Sequence, residues 1–555
     1  MSLTKMKARN TYLAIFVLLS GIPAAAQSLS AASGDDVRRN VSSQHHYALQ
    51  NNVWRFTNNP LSLSFYDLDK TSGSAELSFD FLSGAYRRAM DPMRDYSMNF
   101  SAESYNYLDK INLYGSFAFR QETLEGKTYS ENYDPYNGNP YIAGSTLAGD
   151  YTKQLFAFKV VSTSKLLWNR MRFGVACDYN VGDMSRYNDP RSRVQLADYS
   201  ITPGLTIELT SNDRLGLSGT YRYRKEKILK PVAKSDNIDR YIYCTQKGVV
   251  EYSETGLLFF SRRYVGDYGG GELQYSHITP KNSLMLHCGA TFRHDDVIGD
   301  RKENPGNFSS IDYYAGVASS HNSHVGLRHK ANVTVSHSSG WAQECLQELT
   351  TEMNDQGMPD SYWKTVMKNI RYRNSLTDIS AGWHTFRLRE GKYLWDFGVT
   401  FDAEIYSSHY ILPESHFKTA YIEPALAGGG VLYQKGSSEI NISGRLGWHQ
   451  NIENKLSVNP ELDKEKLTVI RDNVTAPDYQ RLGHGSLAVG LNLNYIFMTL
   501  KTARLYCSVS TNQYYALTKP SSLSLVQGLP EDSSSTISSY VSARVWSSLS
   551  IGILY

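Results

Sequence analysis

The sequence lacks long apolar runs, and it has little cysteine and little proline. After residue 26, no apolar stretch reaches the roughly 18 residues that a transmembrane helix needs, so a helical membrane protein is excluded. The chain contains five cysteines and 17 prolines in 555 residues. Its 57 basic and 54 acidic residues nearly balance, which gives no reason to expect nucleic acid as a partner.

The spacing patterns of metal sites and of membrane enzymes are also missing. No Cys-x-x-Cys or His-Glu-x-x-His pattern is present. His287 and His384 fall on predicted inward faces of strands, but no spacing of nucleophile and base resembles that of a phospholipase, protease or acyltransferase. We therefore predict that the protein is not an enzyme and that it uses no metal or cofactor.

The N-terminus has the three parts of a secretory signal. Lys5, Lys7 and Arg9 precede an apolar stretch over residues 12–22, and three alanines at residues 24–26 form a small-residue cleavage site. We predict a cleaved signal peptide over residues 1–26. Its removal takes three basic residues and no acidic ones, so the formal charge falls from +3 (57 − 54) to zero (54 − 54). The mature chain is expected outside the cytoplasm.

What the sequence does have is alternation of apolar and polar residues, most clearly in its last stretch. Over residues 537–555, every second residue is mostly apolar and the residues between are mostly polar, which is the period of a strand with one apolar face. Leu549, Ile551, Ile553 and the terminal Tyr555 resemble the C-terminal assembly signal of bacterial outer-membrane β-barrels. That resemblance implies two partners, the barrel-assembly machinery and outer-membrane lipid.

The same alternation recurs from about Ala75 to the end of the chain. In one clear case, Trp395, Phe397, Val399 and Phe401 alternate with polar and acidic residues. Short turns bearing Gly, Asn or Pro alternate with long polar loops. The pattern predicts an all-β fold, a transmembrane antiparallel β-barrel of about 18 strands (range 14 to 18) over residues 73–555. Such a barrel belongs in the outer membrane of a Gram-negative bacterium.

Residues 27–72 differ from the predicted barrel in composition, because they are rich in Ser and Asn. Residues 56–61 (FTNNPL) resemble the opening of fatty-acid-transporter-like barrels, in which an N-terminal segment plugs the lumen, although Leu61 and Ser62 stand where those barrels have Ala-Gly. The resemblance implies a luminal segment, and a periplasmic leader is the alternative. The chain as a whole resembles outer-membrane barrels of uncharacterised families without an attached plug domain.

The charged residues on predicted inward faces are the candidate site residues, because a charge inside a barrel must meet water or an opposite charge. One group makes the middle strands basic: Arg170, Arg172, Arg222, Arg224, Arg328 and Lys330. The other group makes the later strands acidic: Asp378, Asp396, Asp402 and Glu404. Opposed walls of this kind would create a transverse field across a water-filled pore. A ladder of internal salt bridges that closes the barrel is the alternative.

Two expectations concern the loops. Trp341, Cys345, Leu349 and Met353 recur at four-residue spacing, which predicts a short helix within a long loop over residues 338–375. Cys244 is also expected in a loop, and whether it pairs with Cys345 is left open.

The fold and the charges together predict a function in transport. The first hypothesis is a passive channel or transporter for a small solute, gated by the N-terminal segment or by a long loop. The alternative is a non-conducting barrel that acts as a surface scaffold or as the partner of a secretion or uptake complex. Neither the solute nor a protein partner can be named from the sequence.

Overall fold

The protein forms one closed antiparallel barrel of 18 strands. The computed structural model describes residues 52–65, 71–234, 242–248, 252–256, 260–299, 303–323, 326–389, 392–412, 414–436, 438–458, 471–499, 503–517 and 543–555. The barrel strands are β1 (Thr71–Gly84), β2 (Arg94–Tyr107), β3 (Ile111–Lys127), β5 (Gly149–Ser164), β6 (Met171–Arg186), β7 (Arg193–Glu208), β8 (Asp213–Ile228), β11 (Arg262–Ile278), β12 (Asn282–Ile298), β13 (Gly306–Asn322), β14 (Leu327–Met353), β15 (Pro359–Arg389), β16 (Lys392–Tyr410), β17 (Ser415–Lys435), β18 (Ser438–Val458), β19 (Ser486–Thr499), β20 (Arg504–Ala516) and β21 (Ala543–Leu554). The predicted fold class and strand number are confirmed.

The alternation of side chains explains why these segments form a barrel wall. On β16, Trp395, Phe397 and Phe401 are exposed on the outer face, whereas Glu404 is buried on the inner face. An outer face of this composition suits lipid, and a polar inner face suits water or partners of opposite charge. Among the described residues, no helix has the length and apolar character that a membrane span requires.

The last strand closes the barrel against the first. Ile551 of β21 pairs with Leu77 of β1, and Leu549 pairs with Phe79. Leu549 is 54% exposed and Ile551 52% exposed on the outer face, so the apolar half of the terminal stretch faces away from the lumen. The predicted stretch began at residue 537, and residues 537–542 lie outside the described residues.

The two ends of the barrel differ in their connections. At one end, here called the turn end, consecutive strands are joined by short turns, and Gly436 adopts a φ of +60° in the turn between β17 and β18, a conformation that favours glycine. The first strand begins and the last strand ends there. At the other end, here called the loop end, the connections over residues 128–148, 229–261 and 459–485 are long.

The predicted helix over Trp341, Cys345, Leu349 and Met353 is wrong. These residues lie on β14, whose register with β15 continues from Leu327 to Met353 with two bulges. A spacing of four is also a multiple of two, so the stripe that suggested a helix is equally one face of a strand. Pairing with β13 ends at Glu344 and pairing with β16 ends at Tyr372, so residues 346–371 form a hairpin that projects beyond the loop end.

A cap covers the loop end. It contains a second sheet of three short strands, β4 (Ala143–Ser145), β9 (Ile242–Gln246) and β10 (Tyr252–Gly256), and a helix, α1 (Ala476–Gly483). Cap residues such as Tyr141, Tyr243 and Leu482 share an apolar core with Tyr151 and Phe308 of the barrel wall. Cys244 lies on β9 rather than in a loop, and no disulfide joins it to Cys345.

Candidate functional site

The lumen is the candidate site, and the N-terminal segment occupies part of it. Residues 52–65 form two 3-10 helices, Val53–Phe56 and Pro60–Phe65. Asn52 caps the first of these, since its side chain accepts a hydrogen bond from the Trp54 amide at 3.0 Å. Trp54 is fully buried and clusters with Met285 and Ala318, which project inward from β12 and β13.

Polar contacts from two adjacent asparagines hold this segment in place. The Asn58 amide donates to Glu272 Oε2 at 3.0 Å, and its Nδ2 donates to the Tyr314 hydroxyl at 3.1 Å. Asn59 Nδ2 donates to Gln274 Oε1 at 3.0 Å, and Asn59 Oδ1 accepts from the Leu61 amide at 3.0 Å. These contacts run mainly through side chains, and the segment adds no strand to the barrel. Its release therefore requires no break in the wall.

Three inward glycines on adjacent strands make room for the segment. A Cβ added at Gly204 would lie 2.7 Å from Pro60, and one added at Gly216 would lie 2.9 Å from Trp54. A Cβ at Gly174 would lie 3.3 Å from Leu61. The contacts at Gly204 and Gly216 are shorter than those that real Cβ atoms make. An alanine at either position would therefore displace the segment.

The predicted basic wall is largely neutralised by carboxylates. Arg222 forms two hydrogen bonds with Asp198, at 2.8 and 2.6 Å, and Arg224 donates to Glu226 at 3.1 Å. Arg172 pairs with Glu208 beneath the N-terminal segment. The sequence-based reasoning missed these carboxylates because it considered each strand without its neighbours. The register between neighbouring strands could have identified these carboxylates. Asp198 of β7 lies directly opposite Arg224 of β8, and Arg222 lies opposite the nearby Ser200.

The remaining basic candidates lie in other surroundings. Arg170 is exposed in the turn before β6, and its predicted place on the lumen wall must be corrected because β6 begins only at Met171. Arg328 Nη2 donates to Ser320 Oγ at 3.5 Å, and Lys330 Nζ lies 4.6 Å from the centre of the Phe386 ring.

The acidic candidates separate into two places. Asp396 accepts from His384 Nε2 at 2.5 Å and from the Tyr393 hydroxyl, near the turn end. Asp378 and Glu404 lie directly opposite each other on β15 and β16. These last two belong to a larger group of carboxylates, here called the acidic cluster: Asp378, Asp402, Glu404 and Glu423.

The acidic cluster includes a residue that was not predicted. Glu423 of β17 lies directly opposite Asp402, and His449 Nδ1 lies 2.7 Å from its Oε1. Glu404 Oε2 accepts from the Tyr421 hydroxyl at 2.8 Å, and Ser380 Oγ donates to Asp402 at 2.6 Å. Like charges placed opposite each other in a sheet are destabilising, so a cation in the lumen would be favoured here. Glu423 was missed because β17 alternates weakly in sequence.

Glu131 anchors the cap loop between β3 and β5 to the wall. Its side chain is fully buried, and its Oε1 accepts from Tyr151 at 2.9 Å and from Arg186 at 3.4 Å. Its other oxygen accepts from Ser192 at 2.6 Å, and the Tyr243 hydroxyl of β9 lies 3.4 Å from Oε1. A buried charge with this many partners holds the loop in a single geometry.

The same loop encloses a small polar cavity against the wall. Arg293 donates to the Asn137 carbonyl at 2.6 Å, and Asn139 Nδ2 donates to Asp295 at 3.3 Å. The cavity lies beside Arg224 and has room for roughly one or two water molecules. In this conformation it is too small for a solute.

The helix α1 docks on the connection between β1 and β2 through Asp478. Its carboxylate accepts from Arg88 at 3.0 Å and from the Ala89 amide at 2.7 Å. Burial raises the pKa of Asp478, and the Arg88 guanidinium opposes that rise. Burial also lowers the pKa of His484, just after α1, and the positive charges of Arg481 and His449 lower it further.

Metal binding has no support in the described part of the chain. There, no three His, Cys, Asp or Glu side chains are arranged as ligands for an ion.

Fold and lumen together define the class as a closed β-barrel of the outer-membrane type. The chain belongs to a family of unknown function, DUF6850, whose model matches residues 60–554. The predicted membership of an uncharacterised barrel family is thereby confirmed. A search of curated proteins found no match.

Several solved barrels align with the chain at low similarity. The ferric preacinetobactin receptor BauA of Acinetobacter baumannii aligns over 87% of this chain and 80% of its own, with 9% identity and a TM-score of 0.38. The ferric-catecholate import receptor Fiu of E. coli K12 aligns over 87% and 81%, with 7% identity and a TM-score of 0.37. A FadL homologue of Pseudomonas aeruginosa aligns over 90% and 92%, with 10% identity and a TM-score of 0.29.

Proposed function

We propose that the protein is a gated passive transporter of the outer membrane, for a small polar solute that is neutral or cationic. In the conformation described, residues 52–65 obstruct the lumen and the cap covers its loop end. The observation that carries the proposal is the seating of residues 52–65 in a glycine-lined recess by side-chain contacts, without strand pairing. A segment held in this way can leave the lumen while the wall stays closed.

The charges of the lumen support the solute class. The arginines of β6 and β8 are satisfied by Glu208, Asp198 and Glu226, so they add little net positive field. The acidic cluster places four carboxylates on three neighbouring strands, with His449 against one of them. An inward surface with this balance attracts cations and repels anions.

Conductance of the purified protein in a planar bilayer tests the gate. Gly204→Ala and Gly216→Ala are expected to raise the open probability severalfold, because the added methyl group displaces Pro60 or Trp54. Gly219→Ala is the matched control on β8, since its Cβ would approach nothing closer than 3.8 Å and it should behave like the unaltered protein. Deleting residues 52–65 is expected to give the largest conductance.

Ion selectivity in the same recordings tests the acidic cluster. Replacing Asp378, Asp402 and Glu404 by their amides is expected to shift the reversal potential toward anions. The proposal fails if the deletion variant conducts no ions, even when Glu131→Ala also loosens the cap.

The second candidate function is a surface scaffold that does not conduct. It is favoured by the hairpin over residues 346–371, which projects beyond the rim and exposes Leu349, Met353 and Trp363. Exposed apolar side chains on a projecting element are typical of interaction surfaces. If no variant conducts ions in the bilayer recordings, the scaffold function is favoured over the transport function.

A further inference from the structure

Three basic side chains form a patch on the outer surface of the barrel, close to its loop end. Lys225 and Lys227 lie on β8, and Arg263 lies on β11. Odd-numbered residues of these strands face outward, as the exposed Leu217 and Tyr221 show. These three residues, here called the rim basic patch, therefore face the surroundings of the barrel and not its lumen.

In the part of the chain that the structure describes, no carboxylate neutralises the positive charge of the rim basic patch. Lys227 lies directly opposite Arg263, and like charges in that position repel. Within the described ranges, none of the three residues has a carboxylate partner within 4.0 Å, and Arg263 Nε is shielded from solvent without a hydrogen-bond acceptor. The inward arginines behave differently, since Arg222 and Arg224 each have a carboxylate partner.

The described carboxylates that border the patch contact other side chains. Asp183 accepts from Arg193 at 2.7 Å, and Asp267 accepts from the Tyr221 hydroxyl at 2.6 Å. Asp296 lies 3.6 Å from His294. The patch therefore remains open to an anion from outside the protein.

The height of the patch indicates where that anion comes from. Tyr199 and Tyr223 pair across β7 and β8 on the outer face, with their rings 5.3 Å apart. Lys225 and Lys227 follow Tyr223 on the same face toward the loop end. Outward tyrosines near strand ends mark the boundary between hydrocarbon and headgroups, so basic residues just beyond them lie at headgroup level.

We propose that the rim basic patch binds a phosphate group of the phosphorylated glycolipid in the outer leaflet, lipopolysaccharide. The guanidinium of Arg263 offers a planar fork to a phosphate, and the two ammonium groups supply point charges beside it. The bound phosphate removes the repulsion between Lys227 and Arg263. The inference rests on the proposed outer-membrane location, with the loop end facing outward.

Lipid retention tests this inference. The full-length protein and a variant with Lys225→Gln, Lys227→Gln and Arg263→Gln are purified from outer membranes, and the glycolipid that stays bound after detergent washing is quantified. The variant is expected to retain about tenfold less, because several charge-assisted hydrogen bonds are lost. Arg94→Gln is the matched control, since Arg94 is also exposed at the loop end but pairs with Glu125 at 3.4 Å.

Rebinding of purified lipid A distinguishes binding through the phosphate groups from binding through the acyl chains. Lipid A with its phosphates should rebind to the unaltered protein and poorly to the triple variant, whereas dephosphorylated lipid A should bind both equally. Equal retention by the triple variant and the unaltered protein, with the barrel folded in both, would overturn the inference. Because the patch lies outside the lumen, the triple variant should conduct normally, so failure here and failure of the proposed transport function are distinguishable.

Discussion

Single buried charges decide how firmly the cap closes the barrel. Glu131 is the clearest of them, because its two oxygens accept hydrogen bonds from Tyr151, Arg186 and Ser192 in a site without solvent. Removing one member of a buried pair leaves the other charged and desolvated, which costs more than the pair itself contributes. Exposed pairs on the outer surface, such as Arg193 with Asp183, contribute far less.

Glu131→Ala is expected to lower the free energy of unfolding by about 3 kcal/mol, because Arg186 stays buried without its carboxylate partner. Urea unfolding in detergent micelles measures the change. Asp183→Ala removes an exposed partner instead and should cost less than about 1 kcal/mol. Equal costs for the two variants would show that burial of Glu131 has no energetic consequence.

Among the elements, α1 is the part of the cap whose docking depends on pH. Burial lowers the pKa of His484 from its usual 6.5, so the docked state holds the imidazole neutral. Undocking would take up a proton below that value. The contribution of His484 to docking is therefore complete above about pH 6.5 and weakens as the pH falls below it, whereas the raised pKa of Asp478 acts in the opposite direction.

Hydrogen exchange of the α1 amides is expected to become faster at pH 5.5 than at pH 7.5, after correction for the intrinsic rate. His484→Gln should flatten this pH dependence, because no group remains there to take up the proton. His294→Gln is the control on the outer surface of β12 and should leave the dependence intact. A pH dependence that persists in His484→Gln would contradict the assignment to this residue.

The whole molecule depends on its seam, where β21 meets β1. Gly73 and Tyr555 exchange two backbone hydrogen bonds, at 2.7 and 3.0 Å, and Ile551 faces outward beside Leu77. The seam joins residues at opposite ends of the chain, so it forms only when all strands are in place.

A charge on the outer face of the seam should therefore reduce the yield of folded barrel. Leu549→Lys places an ammonium group on the outer face at the middle of β21, at a cost of about 2–4 kcal/mol near the midplane. The heat-modifiable fraction in outer membranes measures the folded yield. Leu432→Lys, close to the turn after β17, should cost about 0–1 kcal/mol and leave the yield nearly unchanged. Equal yields would argue against a lipid-facing seam.

Alternation along the chain was enough to predict the barrel and its seam, because inside and outside are local properties of each strand. It was not enough to predict the lumen. The burial of Glu131 was not predicted, because it lies in an irregular loop whose position depends on residues far along the chain. Trp341 and its four-residue stripe were misread, because a strand and a helix can share that spacing.

The sequence by itself determined an all-β barrel of 18 strands, since period-two patterning leaves few other ways to bury one face of so many segments. Only the tertiary structure decided that Arg222 and Arg224 are neutralised, that Glu423 joins the acidic cluster, and that residues 52–65 lie in the lumen. These features depend on register between strands and on contacts across the barrel, which bring together residues that are distant in the chain.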